Sequence, residues 1–227
     1  MTEPIVLCED YAVPDVSNLV TEDDTPVDNF ASAKQQRLLV SSLYSSKPGE
    51  IFLAESDVGV FHTPKLPAIV PDVFLSLDVR VPDNWWEKKN RSYFIWEFGK
   101  PPEVVIEIVS NKQGDELTNK LQIYEQIRVS YYVVYDPSGQ LGESVLRLYE
   151  LRGMRYFETA ETWLEQVGLG LTLWQGEYEA KQDTWLRWCD DKGNILLTGD
   201  ERAQRAEQRA ERLAQRLRSL GIDPEEL

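Results

Sequence analysis

Two side chains in this sequence are out of place for a simple hydrophobic core, and with a third, Asp72, they could do chemistry. Glu107 stands in the middle of Pro102-Glu103-Val104-Val105-Ile106-Glu107-Ile108-Val109-Ser110, a β-branched run. With a strand period of two, Val105, Glu107 and Val109 share one face, and Val104, Ile106 and Ile108 share the other. Apolar residues on both sides mean burial on both faces. A lone carboxylate there costs several kcal/mol unless it is paired, hydrogen-bonded or bound to metal. Lys120 is the second anomaly. Leu117, Lys120, Leu121, Tyr124 and Ile127 follow the spacing of one helix face, so the lysine points with the stripe that packs on the sheet. It must either snorkel out or meet a carboxylate, and Glu107 is one available partner. Asp72 follows Pro71 at the head of another strand. If the strands of Asp72 and Glu107 are neighbours, their carboxylates converge and repel, and a divalent cation would relieve the repulsion. Hard oxygen donors of this kind suit magnesium or manganese. Such an ion can activate water and stabilise charge on a phosphodiester, while an ammonium from Lys120 assists the water or the phosphate. A purely structural Glu107–Lys120 ion pair is the alternative.

These residues need a frame. Residues 101–135 read as strand, helix, strand: the run around Glu107, a helix from Gly114 to Ile127, and Ser130-Tyr131-Tyr132-Val133-Val134-Tyr135. Upstream, a helix is expected from Phe30 to Tyr44, started by Asp28 or Ser32. Strands are expected at Ile51–Ala54 and Val58–Phe61, around the polar Glu55-Ser56-Asp57, and at Asp72–Val79. Residues 83–100 read as a loop or insertion in which Trp85, Trp86, Lys88, Lys89 and Arg91 interleave. A surface that stacks on nucleic-acid bases can look like this, but two tryptophans more often close a core or an interface. Downstream, Leu146–Leu151, Arg155–Phe157, Leu171–Gln175 and Trp185–Trp188 read as short strands, with a turn at Asp191-Lys192-Gly193-Asn194. They predict a β-rich flank covering one edge of the core.

The composition changes at Asp200. Ala203, Ala206, Ala210, Leu213, Leu217 and Leu220 are spaced alternately three and four apart, a heptad seam, and Gly221 and Pro224 end it. A half-alanine seam this short needs a partner: a second copy, which is the favoured reading, its own body, or another protein.

The 227 residues fit one sizeable domain plus an appendage. The chain divides into an irregular acidic arm over 1–29, a mixed α/β domain over 30–198 and a coiled-coil-type helix over 199–227. No run is apolar enough to cross a bilayer, and the N-terminus has no secretory pattern. Cys8 and Cys189, far apart and in no metal spacing, suit a reducing cytoplasm. His62 is the only histidine, which leaves a zinc site or a Ser-His-Asp triad without local support. A net charge of −15 weighs against the bulk surface gripping nucleic acid, though not against a small cleft neutralised by metal.

In order along the chain, Val70-Pro71-Asp72-Val73-Phe74, the run from Pro102 to Ser110, Asp115 through Lys120 and Tyr124, and Tyr132-Val133-Val134-Tyr135-Asp136-Pro137 resemble the Uma family of restriction endonucleases, within the PD-(D/E)xK nuclease superfamily. The resemblance spans about residues 30–195, and the heptad tail looks like one found in some members of the family. It implies a restriction-endonuclease-like mixed sheet flanked by helices, with extra β-hairpins and a C-terminal heptad helix. It also implies magnesium-dependent hydrolysis of DNA, with Asp72 as first acid and Glu107 as second. The superfamily's lysine lies two residues past the second acid, where this chain has Val109; in the Uma family it moves to the following helix, at Lys120. A polar residue from the first helix often joins the site, and Gln35 and Gln36 are the candidates; Glu55 is an outside one. The expected protein is a metal-dependent endonuclease and a homodimer through residues 200–220. The competing expectation is an inactive nuclease-fold protein that works as an oligomeric interaction module.

Overall fold

A computed structural model describes residues 29–63, 65–87, 90–110, 116–221 and 223. Except for Asn29, the acidic arm lies outside the described residues, as do Lys88, Lys89, Gly114, Asp115 and Pro224.

The β-branched runs form the centre of a six-stranded sheet. Its strands are β1 (Phe52–Glu55), β3 (Val73–Leu77), β5 (Val104–Ile108), β6 (Tyr131–Tyr135), β7 (Leu146–Arg152) and β8 (Arg155–Thr159), side by side in that order. All neighbours are antiparallel except β5 and β6. A parallel pair needs a crossover, and helix α3 (Asn119–Ile127) supplies it. Every residue of β5 and β6 is buried, as the unbroken apolar runs require.

The alternation of side chains sends two sets into two cores. Val104, Ile106 and Ile108 pack with Leu39 and Leu43 of α1 (Phe30–Ser46) and with Trp188. Val105 and Val109 pack on the other face with Tyr124 of α3 and with Phe74 and Tyr93. The first face is also covered by a three-stranded sheet of β9 (Trp163–Leu164), β10 (Leu169–Tyr178) and β11 (Lys181–Cys189). The expected edge flank is therefore divided. β7 and β8 extend the main sheet, while β9–β11 bury Leu169, Leu171, Leu186 and Trp188 against its face. Alternation alone identified these strands but could not say which sheet each joins.

Asn29 caps α1, its Oδ1 accepting from the Ser32 N–H at 2.9 Å, in place of the expected Asp28 or Ser32. Phe30, expected on the apolar face, is 91% exposed, and the buried face instead includes Gln35 and Gln36. Helix α3 starts later than expected, because Thr118 has non-helical backbone angles.

The tryptophan pair does not close a core. Trp85 and Trp86 are 57% and 77% exposed and meet edge to face. Two short elements follow them: β4 (Tyr93–Phe94), paired in parallel with β2 (Val60–Phe61), and α2 (Ile95–Phe98).

Helix α4 (Gly199–Ser219) opens on a capping box between Thr198 and Glu201. Glu201 also anchors it to the body, since both its oxygens accept from the buried Arg187 guanidinium, at 2.9 and 2.7 Å. Arg187 further donates to the Leu196 carbonyl and lies over the Trp174 ring. Beyond this anchor no α4 residue is buried, so its seam does not pack on the chain's own body. Among the described residues, no helix is long and apolar enough to cross a membrane.

Candidate active site

The second face of the sheet brings Asp72, Glu107 and Lys120 together. β3 runs antiparallel to β5 with Val73 opposite Ile106, so one step further along the ladder Asp72 stands opposite Glu107. The period of two points both carboxylates to the α3 side. The Ile108 N–H donates to Asp72 Oδ2 at 2.6 Å, which ties the aspartate to the end of β5.

Glu107 is almost completely buried, at 1% exposure. The crossover lays α3 over it, and two helix residues one turn apart reach down. Lys120 Nζ donates to Glu107 Oε2 at 2.9 Å, and the Tyr124 hydroxyl donates to Oε1 at 2.8 Å. Glu116, one turn earlier, places Oε1 3.9 Å from Lys120 Nζ. Sequence periodicity put Tyr124 on the inner stripe as an apolar residue; its hydroxyl is the part that reaches the carboxylate.

The electrostatics follow from burial. Loss of water pushes the Glu107 carboxyl up to about 8; the Lys120 ammonium opposes this, and the negative charge of Asp72 adds to it. Burial disfavours the ammonium of Lys120, but the adjoining Glu107 carboxylate outweighs that and holds its pKa above the ordinary lysine value. The negative charges of Asp72 and Glu116 act in the same direction, so the surroundings favour the charged form of Lys120.

The first helix contributes Gln36. Its amide nitrogen donates to Asp72 Oδ1 at 3.3 Å and to Asp57 Oδ1 at 3.1 Å. Gln35 does something else: its amide exchanges two hydrogen bonds with the backbone of Leu186, at 2.8 and 3.0 Å, which fastens α1 to β11. The structure therefore separates two adjacent glutamines that sequence left equivalent. Asp57 had no role in the sequence reading. It sits just past β1 with a left-handed φ of 56°, a conformation that aspartate tolerates better than most residues. Glu55, the outside candidate, lines a neighbouring cavity.

Among the described residues, no group of three or more His, Cys, Asp or Glu side chains is arranged to hold a metal ion. Asp72 and Glu107 are nevertheless a pair of hard oxygen donors. Magnesium is commonly held by one or two carboxylates and keeps several of its waters. A buried carboxyl raised by desolvation and by a like charge is one that a cation would favour in its ionised form. The donor chemistry fits such an ion.

Comparison with known proteins gives the site its context. Residues 9–174 match the model of the Uma2 family, described as "Putative restriction endonuclease". The chain belongs to the Uma2 family. The Uma2 match contains Gln36, Asp57, Asp72, Glu107, Lys120 and Tyr124, and ends inside β10, before β11 and α4. No curated protein matches the chain. Among solved structures, it is similar to one from Anabaena variabilis titled as "a putative nuclease belonging to DUF820". The two share 17% identity over 61% of this chain and 72% of that one, with a TM-score of 0.43.

Proposed function

We propose that the protein is an endonuclease that hydrolyses DNA phosphodiester bonds with a magnesium or manganese ion held by Asp72 and Glu107. The observation that carries this reading is the pairing of the two carboxylates across β3 and β5, with Lys120 Nζ 2.9 Å from Glu107. Membership of a family described as "Putative restriction endonuclease" supports DNA as the substrate class. When bound, the cation would supply an activated water and a counter-charge for the phosphate.

The chain's own residues have separable tasks. Asp72 and Glu107 provide the anionic oxygens. Lys120, held charged, attracts a non-bridging phosphate oxygen and stabilises the extra charge of the transition state. Tyr124 positions Glu107 and favours its ionised form. Gln36 positions Asp72. In the reaction a water oxygen bonds to phosphorus and the ester oxygen leaves as a hydroxyl, with the water proton passing to solvent or to the leaving oxygen.

The test is cleavage of supercoiled DNA by the purified full chain. Nicking is expected with magnesium or manganese and should stop when EDTA removes the metal. Cleavage that continues undiminished in EDTA would reject the metal-dependent reading.

A second reading is an inactive nuclease-fold protein acting as an oligomeric interaction module. The observation that favours it is the exposed seam of α4, with Leu213 and Leu220 at 57% and 61% exposure. Self-association through this seam is compatible with either reading, since coiled-coil seams are covered by partner helices. Deletion of residues 200–227 is expected to halve the solution mass measured by light scattering. A full-length chain that is already monomeric at micromolar concentration would remove the homodimer.

A further inference from the structure

Beside Asp72 the same face of the sheet carries a mostly apolar cavity of about 450 Å³, within the size range of small-molecule sites. It is lined by Phe74 and Phe98 on the inside and by Trp85 and Trp86 at the rim, with Glu55 and Arg91 among its few charged groups. Its place in the fold is fixed by register. Phe74 lies two residues beyond Asp72, which directly precedes β3, so an extended backbone sets the two about 7 Å apart. Glu55 stands opposite Phe74 on β1. The cavity thus opens within about one strand repeat of the carboxylate pair.

We propose that this cavity is a subsite for one unstacked base of the DNA strand cut at Asp72 and Glu107, stacked by Trp85 and Trp86 and met along its edge by Glu55 and Arg91. The proposal rests on the nuclease reading for its DNA partner. Aromatic faces bind bases of any sequence, and exposed tryptophans beside a phosphodiester site are placed for it. Solvent exposure of 77% for Trp86 leaves most of its surface available, whereas a structural tryptophan would be covered. The described residues flanking the tryptophans are tied to one another: Arg91 Nε donates to the Trp86 carbonyl at 2.7 Å, and Asn90 Nδ2 donates to Asn84 Oδ1 at 2.8 Å. Glu55 suits the edge of a base because its carboxyl oxygens line the cavity opposite Phe74 and can accept from the amino and imino N–H groups of a base.

The experiment uses the full chain with Asp72→Asn, so that DNA is bound but not consumed. A single-stranded oligodeoxynucleotide is titrated against the same strand with a central run of abasic sites, following tryptophan fluorescence. The base-bearing strand is expected to quench the emission and to bind about tenfold tighter. Adding Trp86→Ala should remove most of that difference, and the exposure of Trp86 makes this variant safe for folding. Equal affinity for the two strands, or a difference untouched by Trp86→Ala, overturns the subsite. Cleavage by the unsubstituted protein is scored in parallel. Cleavage with equal affinities removes the subsite and leaves the nuclease standing. Base-dependent quenching without cleavage removes the nuclease and leaves a base-binding site.

Discussion

Asp72→Asn is expected to lower DNA cleavage by at least about 10³-fold, the scale of losing a main electrostatic contributor to a transition state. The substitution is close to isosteric, and the site can absorb it. Asp72 accepts from the Ile108 N–H and from the Gln36 amide. An asparagine can keep its carbonyl toward Ile108 and loses at most the longer 3.3 Å bond from Gln36, whose amide nitrogen still donates to Asp57. The fold should therefore survive, which thermal unfolding will check. Removal of the charge also eases the ionisation of Glu107, because Asp72 is one of the influences that push that carboxyl up. A loss of activity thus cannot be traced to a more protonated Glu107. It reports the loss of one anionic oxygen donor. Lys120→Met, which removes a fixed cation rather than a donor, should cost about 10²-fold under the same conditions. A rate for Asp72→Asn within tenfold of the unsubstituted protein would sink the assignment of the site.

The central unit was legible because its anomalies are local. A carboxylate in a run buried on both faces and a lysine on an inward helical stripe each demand a partner, and a crossover helix brings the two together. Asp72 was legible only with help, since its partner strand lies 36 residues downstream and no local pattern states the pairing. Gln35 and Gln36 could not be told apart, because both lie on a face of α1 that is buried despite being polar. Asp57 was missed for a different reason. It enters through a left-handed turn rather than through a strand or helix period, and no hydrophobic pattern reports such a position. The exposed tryptophans show the limit of composition: their size predicts burial on average, but here they surround a cavity rather than fill a core. The three-stranded sheet shows the limit of periodicity, which marks a strand's faces and leaves its sheet unnamed.

Cleavage is also expected to rise steeply with pH, about tenfold per unit well below pH 8, and to level above it. The cause is Glu107, whose carboxyl is pushed to about 8 by burial. Only its ionised form can serve as an oxygen donor, so well below that value the competent fraction falls about tenfold for each unit of pH. Cation binding and proton release are then coupled, and higher magnesium should move the midpoint to lower pH. The same shift fixes the sign of the stability change. A carboxyl with a folded-state pKa above its unfolded value of about 4.5 binds its proton more tightly in the native protein. Its contribution to stability is therefore lost as pH rises from about 4.5 to about 8, and added magnesium should restore part of it. Tyr124→Phe provides the internal control. The hydroxyl donates to Glu107 Oε1 at 2.8 Å and favours the ionised form, so its removal should raise the midpoint by about one unit. Single-turnover rates measured across pH 5.5–9 will decide. A flat profile, or one that Tyr124→Phe leaves in place, would mean that the buried carboxylate is a structural partner of Lys120 and not part of the reaction.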